Sequence, residues 1–226
     1  MKCVAIMPGG CAQSAPACTV GCVIYLKNDR CLSLGLGSGS ENHFSNDDFR
    51  RRFSCASTSS ADQLKYCCLM QHEHFHACTE NKGPRICEES GAFELEAACL
   101  KNGISASCGG VKTTWPKEQC GESCKDLFRR LMLASWTKCL CGVATSCSTS
   151  PTKEECCACQ KMCSSPESIL NALPAVCKSV PGIADNYANN CQGLVNSNHG
   201  CSMIGVSGQI NCGGKITVGT DPLLEY

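Results

Sequence analysis

Three residues in the middle of the chain carry types and a spacing that could do chemistry. His72-Glu73-His74-Phe75-His76 sets two histidines four apart, with a glutamate directly after the first. Residues four apart share one face of a helix, so His72 and His76 can aim two imidazole nitrogens at one metal ion. Glu73 then stands beside that ion, where its carboxylate can take the proton of a bound water as the water attacks a carbonyl. Zn2+ suits these donors and lowers the pKa of such a water from ~16 towards ~7. The spacing therefore expects His72 and His76 as metal ligands and Glu73 as the catalytic base.

The helix that must hold this group is announced by its start. Ser60 followed three residues later by Gln63 forms a capping-box pattern, which predicts a helix from Ala61 to about Cys78. Leu64, Cys68, His72 and His76 fall at intervals of four, so the histidines continue a stripe that should face inward. Lys82-Gly83-Pro84 ends that helix, and a second is predicted from about Ser90 to Asn102. A zinc site of the hydrolytic kind needs a third protein ligand, and the second helix offers Glu94 and Glu96. Glu96 interrupts the apolar face of Phe93 and Leu100, whereas Glu94 shares its side with Ala98 and Lys101. A carboxylate on an apolar face needs a partner, and a metal ion removes the burial cost. Glu96 is the expected third ligand and Glu94 the reserve; the plain alternative is a salt-bridged helix glutamate.

With these residues in view, the stretch from Leu69 to Leu100 resembles a gluzincin, the group of H-E-x-x-H zinc metallopeptidases whose third ligand is a glutamate on the following helix. Nineteen residues separate His76 from Glu96, similar to the separation in thermolysin-like enzymes. Glu89-Ser90-Gly91-Ala92 resembles their pattern too, with an offset one residue longer that puts Leu95 in the ligand's place. Cys78, Cys87, Glu94-x-Glu96-Ala97 and Cys99-Leu100 are similar in layout to small metallopeptidase toxin domains delivered by bacterial secretion systems. The resemblance implies a zincin-like helical core, zinc on His72, His76 and Glu96, Glu73 as general base, and a peptide or protein substrate. The metzincin extension is absent, because no glycine and third histidine follow His76 at the required spacing. Tyr187 and His199 are the candidates for the donor to the transition state.

Twenty-five cysteines among 226 residues make a disulfide-rich scaffold the default reading and an oxidising, secreted or extracellular destination the expectation. An odd count leaves one thiol over for a metal, for an intermolecular disulfide or for no purpose. Lys plus Arg equals Asp plus Glu at 20 each, so no net field draws the chain to nucleic acid or to an anionic membrane. No segment approaches the roughly 18 apolar residues of a membrane span. The run before Pro8 is too short for a secretory signal, so the chain reads as a mature or excised portion, or as cargo exported without a removable signal.

The expected fold is mainly α or α+β, with a small sheet and a cysteine-rich helical C-terminal half. Residues 1–113 form the zincin-like region and 114–226 the cysteine-rich disulfide-stapled region, or the two are one continuous domain. Val23 to Leu26 is the expected strand, 35–40 a flexible turn, and 41–60 a solvated connection. Asp126 to Leu133 reads as helix, Cys156, Cys157, Cys159 and Cys163 as a staple or a four-cysteine zinc site, 205–219 as turns and short strands, and 222–226 as a tail.

Two other function classes fit parts of this pattern. The cysteines from Cys120 to Cys156 resemble those of neurotrophic-factor co-receptor domains, which implies a non-enzymatic binding or structural protein with the histidines on a solvated helix end. Asp62-x-Leu64-x2-Cys67-Cys68 followed by His72-Glu73 resembles the histidine helix of secreted phospholipases, although three residues rather than two separate Cys68 from His72 and the acid is Glu.

Overall fold

The computed structural model describes residues 3–8, 17–20, 23–26, 42–53, 55, 58–78, 84–109, 114–146, 152–159, 166–185, 187 and 191. The expectations for 35–40, 205–219, 222–226, Cys163 and His199 lie outside these residues. The chain divides into two compact units that interleave along the sequence. One takes 1–80, 95–123 and 224–226, and the other takes 81–94 and 124–223.

In the first unit Val23–Leu26 is a strand, β3, within a sheet wider than the sequence suggests. Together with β1 (Cys3–Pro8), β2 (Ala17–Val20) and β4 (Asn42–Ser45) it forms four strands in the order β2-β3-β1-β4. β1 and β3 run parallel with Ile6 opposite Ile24, while β2 is antiparallel to β3 and β4 to β1. Ile24 is fully buried in this sheet.

Within the stretch 41–60, residues 42–53 are no solvated connection. β4 leads straight into helix α1 (Asn46–Arg52), capped by Ser45, whose Oγ accepts the amide of Asp48 at 3.1 Å. Ser45 and Arg51 both donate to the Asp48 carboxylate and hold its pKa below the ordinary 3.8. Polar residues hide the driving force here: Phe49 and Phe53, four apart, pack at 4.5 Å between ring centroids with their planes tilted by 44°, and both are buried. Ile24, Met70 and Ala77 join them in one core cluster.

Helix α2 (Ala61–Cys78) has the bounds the cap pattern predicts. Ser60 Oγ accepts the Gln63 amide at 3.3 Å, but the Gln63 carboxamide turns to the amide and hydroxyl of Ser59 instead of completing the box at Ser60. α2 packs across β1, β2 and β3. Helix α3 (Arg85–Cys108) extends past the predicted 90–102 at both ends. Pro84 is the physical reason at its start: proline breaks one helix yet is pre-set for the beginning of another, and its carbonyl accepts the Cys87 amide at 2.9 Å. At the other end Gly103 lets α3 approach α2 closely, since a Cβ there would fall inside the Leu64 side chain. Helix α4 (Lys117–Ser146) absorbs the short helix expected over 126–133. Within the first unit Cys108–Cys120 ties the end of α3 to the first turn of α4, and Gln119 accepts the Ala61 amide at the start of α2 at 3.4 Å.

The second unit is helical among its described residues. The start of α3 and the body of α4 are joined by Cys87–Cys141 and by an exposed pair in which Lys138 donates to Glu94 at 2.8 Å. Arg130 also lies over the Phe93 ring at 5.9 Å. Short helices α5 (Lys153–Ala158), α6 (Glu167–Ala172) and α7 (Ala175–Lys178) follow. Cys139–Cys159 and Cys124–Cys177 fasten α4 to the C-cap residue of α5 and to α7. Cys156, Cys157 and Cys159 are all disulfide-bonded, so they offer no thiolates to a four-cysteine zinc site. The molecule is mainly helical and disulfide-rich, a chemistry that belongs to an oxidising compartment. Among the described residues no helix is long and apolar enough to cross a membrane.

Candidate metal centre

His72, Glu73, His76 and Glu96 all belong to the first unit. The last turns of α2 carry the first three, and α3 brings the fourth. The interval-four stripe does face inward: Leu64 and Cys68 are fully buried, His72 is buried and His76 half-buried. Glu73 and His74 are buried as well, at 6% and 7% exposure, so this end of α2 is not the solvated helix end that the scaffold reading requires.

The two stripe histidines meet through their outer nitrogens. Nε2 of His72 and Nε2 of His76 stand 3.1 Å apart, with the rings edge to face at 71°. On its opposite side His72 meets Glu96, whose Oε2 lies 3.2 Å from Nδ1. Periodicity separates the two candidate glutamates as the sequence suggests: Glu96 is 1% exposed, while Glu94 is exposed and pairs with Lys138. That pairing holds the Lys138 pKa above its ordinary 10.5. The side of His72 that Glu96 reaches was not foreseeable from spacing. It faces Nδ1, the nitrogen turned away from His76, which is the position of a carboxylate that orients a ligating histidine.

His74 has a different occupation. Its ring stacks on Phe49 at 4.2 Å and 18°, inside the core between α1 and α2. Gln71, the residue before His72, anchors the helix by donating to the Phe53 carbonyl at 2.8 Å and to Cys55 Sγ at 3.3 Å. No motif marks Gln71; its position on the Cys67 side of the helix is the one available signal. Leu95, the position selected by the thermolysin-like offset, is 40% exposed. Tyr187 is buried in the second unit, edge-on to Phe128 at 5.6 Å, and burial pushes its hydroxyl pKa up.

The donor set can be tested against zinc by distance. Two imidazole nitrogens each about 2.0–2.1 Å from a tetrahedral zinc are roughly 3.3–3.4 Å apart. The observed 3.1 Å differs by a few tenths of an ångström, so two nitrogens of the right type already converge. At the same distance one ring can also donate a hydrogen bond to the other. Comparison with protein-family models, with curated proteins and with solved structures finds no match to this chain.

Proposed function

We propose that the chain is a secreted zinc-dependent metallopeptidase that hydrolyses peptide bonds of a peptide or protein substrate. The observation that supports this reading is the convergence of the His72 and His76 Nε2 atoms at 3.1 Å, with buried Glu96 behind the other nitrogen of His72. His72 and His76 would hold zinc, which when bound would supply a Lewis acid towards a carbonyl and a water nucleophile at neutral pH. With its carboxylate 3.2 Å from Nδ1 of His72, Glu96 would favour the tautomer protonated there and leave the Nε2 lone pair for a metal. This is a role beside the direct ligation that the gluzincin resemblance implies for it. The Glu73 carboxylate accepts a proton from the attacking water and returns it to the leaving amine nitrogen.

A second reading, a non-enzymatic disulfide-stapled binding or structural protein, is favoured by the disulfides that tie the helices within each unit, among them Cys68–Cys99, Cys108–Cys120, Cys87–Cys141 and Cys124–Cys177. One pair of measurements separates the two. Native mass spectrometry should count one zinc that is lost in His72→Ala and in His76→Ala but kept in Glu73→Gln. Glu73→Gln should lower peptide hydrolysis by about 10²–10⁴-fold, the range of a general base. Failure to take up zinc leaves the scaffold, and a fully active Glu73→Gln protein refutes the mechanism.

A further inference from the structure

Four sulfurs meet on α2 one turn before the histidines. Cys67 and Cys68 are consecutive, yet Cys67 bonds Cys55 in the segment ahead of the helix and Cys68 bonds Cys99 on α3. The two bridges are close enough to react, because Sγ of Cys55 lies within 4.8 Å of Sγ of both Cys68 and Cys99. Cys55 is the accessible member: it is partly exposed, whereas Cys67, Cys68 and Cys99 are buried. It also holds a left-handed backbone, φ 55°, which a residue other than glycine keeps only under constraint. The Gln71 carboxamide donates to its sulfur at 3.3 Å, and a donor there favours thiolate over thiol.

We propose that these two disulfides form a thiol–disulfide exchange site that takes two electrons from a dithiol. One thiolate of the dithiol attacks Cys55 Sγ, forming a mixed disulfide, and the Cys55–Cys67 bond breaks with its electron pair on Cys67. The second thiol of the reductant then closes its own disulfide and expels Cys55 as a thiolate, a leaving group eased by the Gln71 donor. Cys55 attacks one sulfur of Cys68–Cys99, and the other sulfur leaves with the pair. The dithiol is oxidised, its two protons pass through solvent to Cys67 and to the sulfur that left, and the protein has one disulfide fewer. The direct bond between α2 and α3 is replaced by one to Cys55. Cys68 lies four residues before His72, and Cys99 three after Glu96, so the bond that is lost is, among the described residues, the covalent tether between α2 and α3 close to their contact.

The test uses the whole oxidised chain in metal-free buffer, so its outcome is independent of the zinc reading. Limiting dithiothreitol is added, samples are quenched in acid, free thiols are labelled with N-ethylmaleimide, and the bridges are mapped by mass spectrometry. The earliest two-thiol species should carry label on Cys67 and on either Cys68 or Cys99, with Cys55 bonded to the remaining one. Label on Cys55 and Cys67 with Cys68–Cys99 intact overturns the proposal, as does first reduction at any other bridge or none. In Cys67→Ser, Cys55 should likewise be found joined to Cys68 or Cys99; a labelled Cys55 beside an intact Cys68–Cys99 overturns it equally.

Discussion

Glu96→Gln keeps the shape of the side chain and removes its charge, which isolates what the carboxylate does for His72. The oxygen stands 3.2 Å from Nδ1, and 1% of the Glu96 side chain meets solvent. Two full charges at that distance in an effective dielectric of about 20 attract by roughly 5 kcal/mol. That is a ceiling, because a metal-bound imidazole carries only part of a unit charge. Carboxylates placed behind a ligating histidine are worth about 10–100-fold in metal affinity, or roughly 1.4–2.7 kcal/mol. Zinc should therefore bind Glu96→Gln about 10–100-fold more weakly in competition with a chromophoric chelator. Cobalt substituted for zinc should keep its visible spectrum, since the donor atoms are unchanged. In urea the metal-free variant should be at least as stable as the parent, because a neutral amide is less costly to bury than a carboxylate. An unchanged zinc affinity would refute the orienting role. A loss well beyond a hundredfold with an altered cobalt spectrum would instead make Glu96 a direct ligand.

Other perturbations test the scaffold around the site. Removing the Cys68–Cys99 bridge as Cys68→Ala with Cys99→Ala opens a sequence separation of 31 and should cost roughly 3.7 kcal/mol in the chain-entropy account. The Cys55–Cys67 pair, with separation 12, should cost roughly 2.8 kcal/mol, so urea denaturation should rank the two in that order. Phe49→Ala removes a ring 1% exposed that packs on Phe53 and His74 and should cost about 3–5 kcal/mol; under 1 kcal/mol would mean the cluster is not a core. Burial raises the folded pKa of Tyr187 above its ordinary 10.0, so the stability linked to its neutral form is complete below pH 10.0 and is lost as pH climbs through the folded value. Tyrosinate absorbance compared with Tyr187→Phe should show this one phenol ionising late; ionisation together with the other tyrosines would contradict its burial.

What could be read from the residues depended on whether the signal was local. The bounds of α2 follow from Ser60 and from four residues at intervals of four, and the burial of Glu96 against the exposure of Glu94 follows from helical period alone. The full length of α3 is concealed by Pro84, which both stops and starts helices, and by Gly103, whose place is explained only once Leu64 lies against it. β1 and β4 gain their partners from distant sequence, β2 is only four residues long, and α1 is masked by charges around Phe49. Which nitrogen of His72 Glu96 reaches depends on how α2 and α3 pack, a quantity no spacing encodes. The pairing of 25 cysteines is a combinatorial question that composition leaves open.

The adjacent cysteines of α2 have a mechanical consequence. Successive residues of a helix point about 100° apart, so Cys67 and Cys68 pull on the same turn from two bearings, one towards Cys55 and one towards Cys99. A single bridge would act as a pivot about which the helix could roll. Two bridges at different bearings lock its azimuth, and the imidazoles one turn further along inherit that heading. Under mild denaturation that loosens side-chain packing, with both bridges whole, the histidine pair should keep facing the same way after the surrounding core has begun to soften.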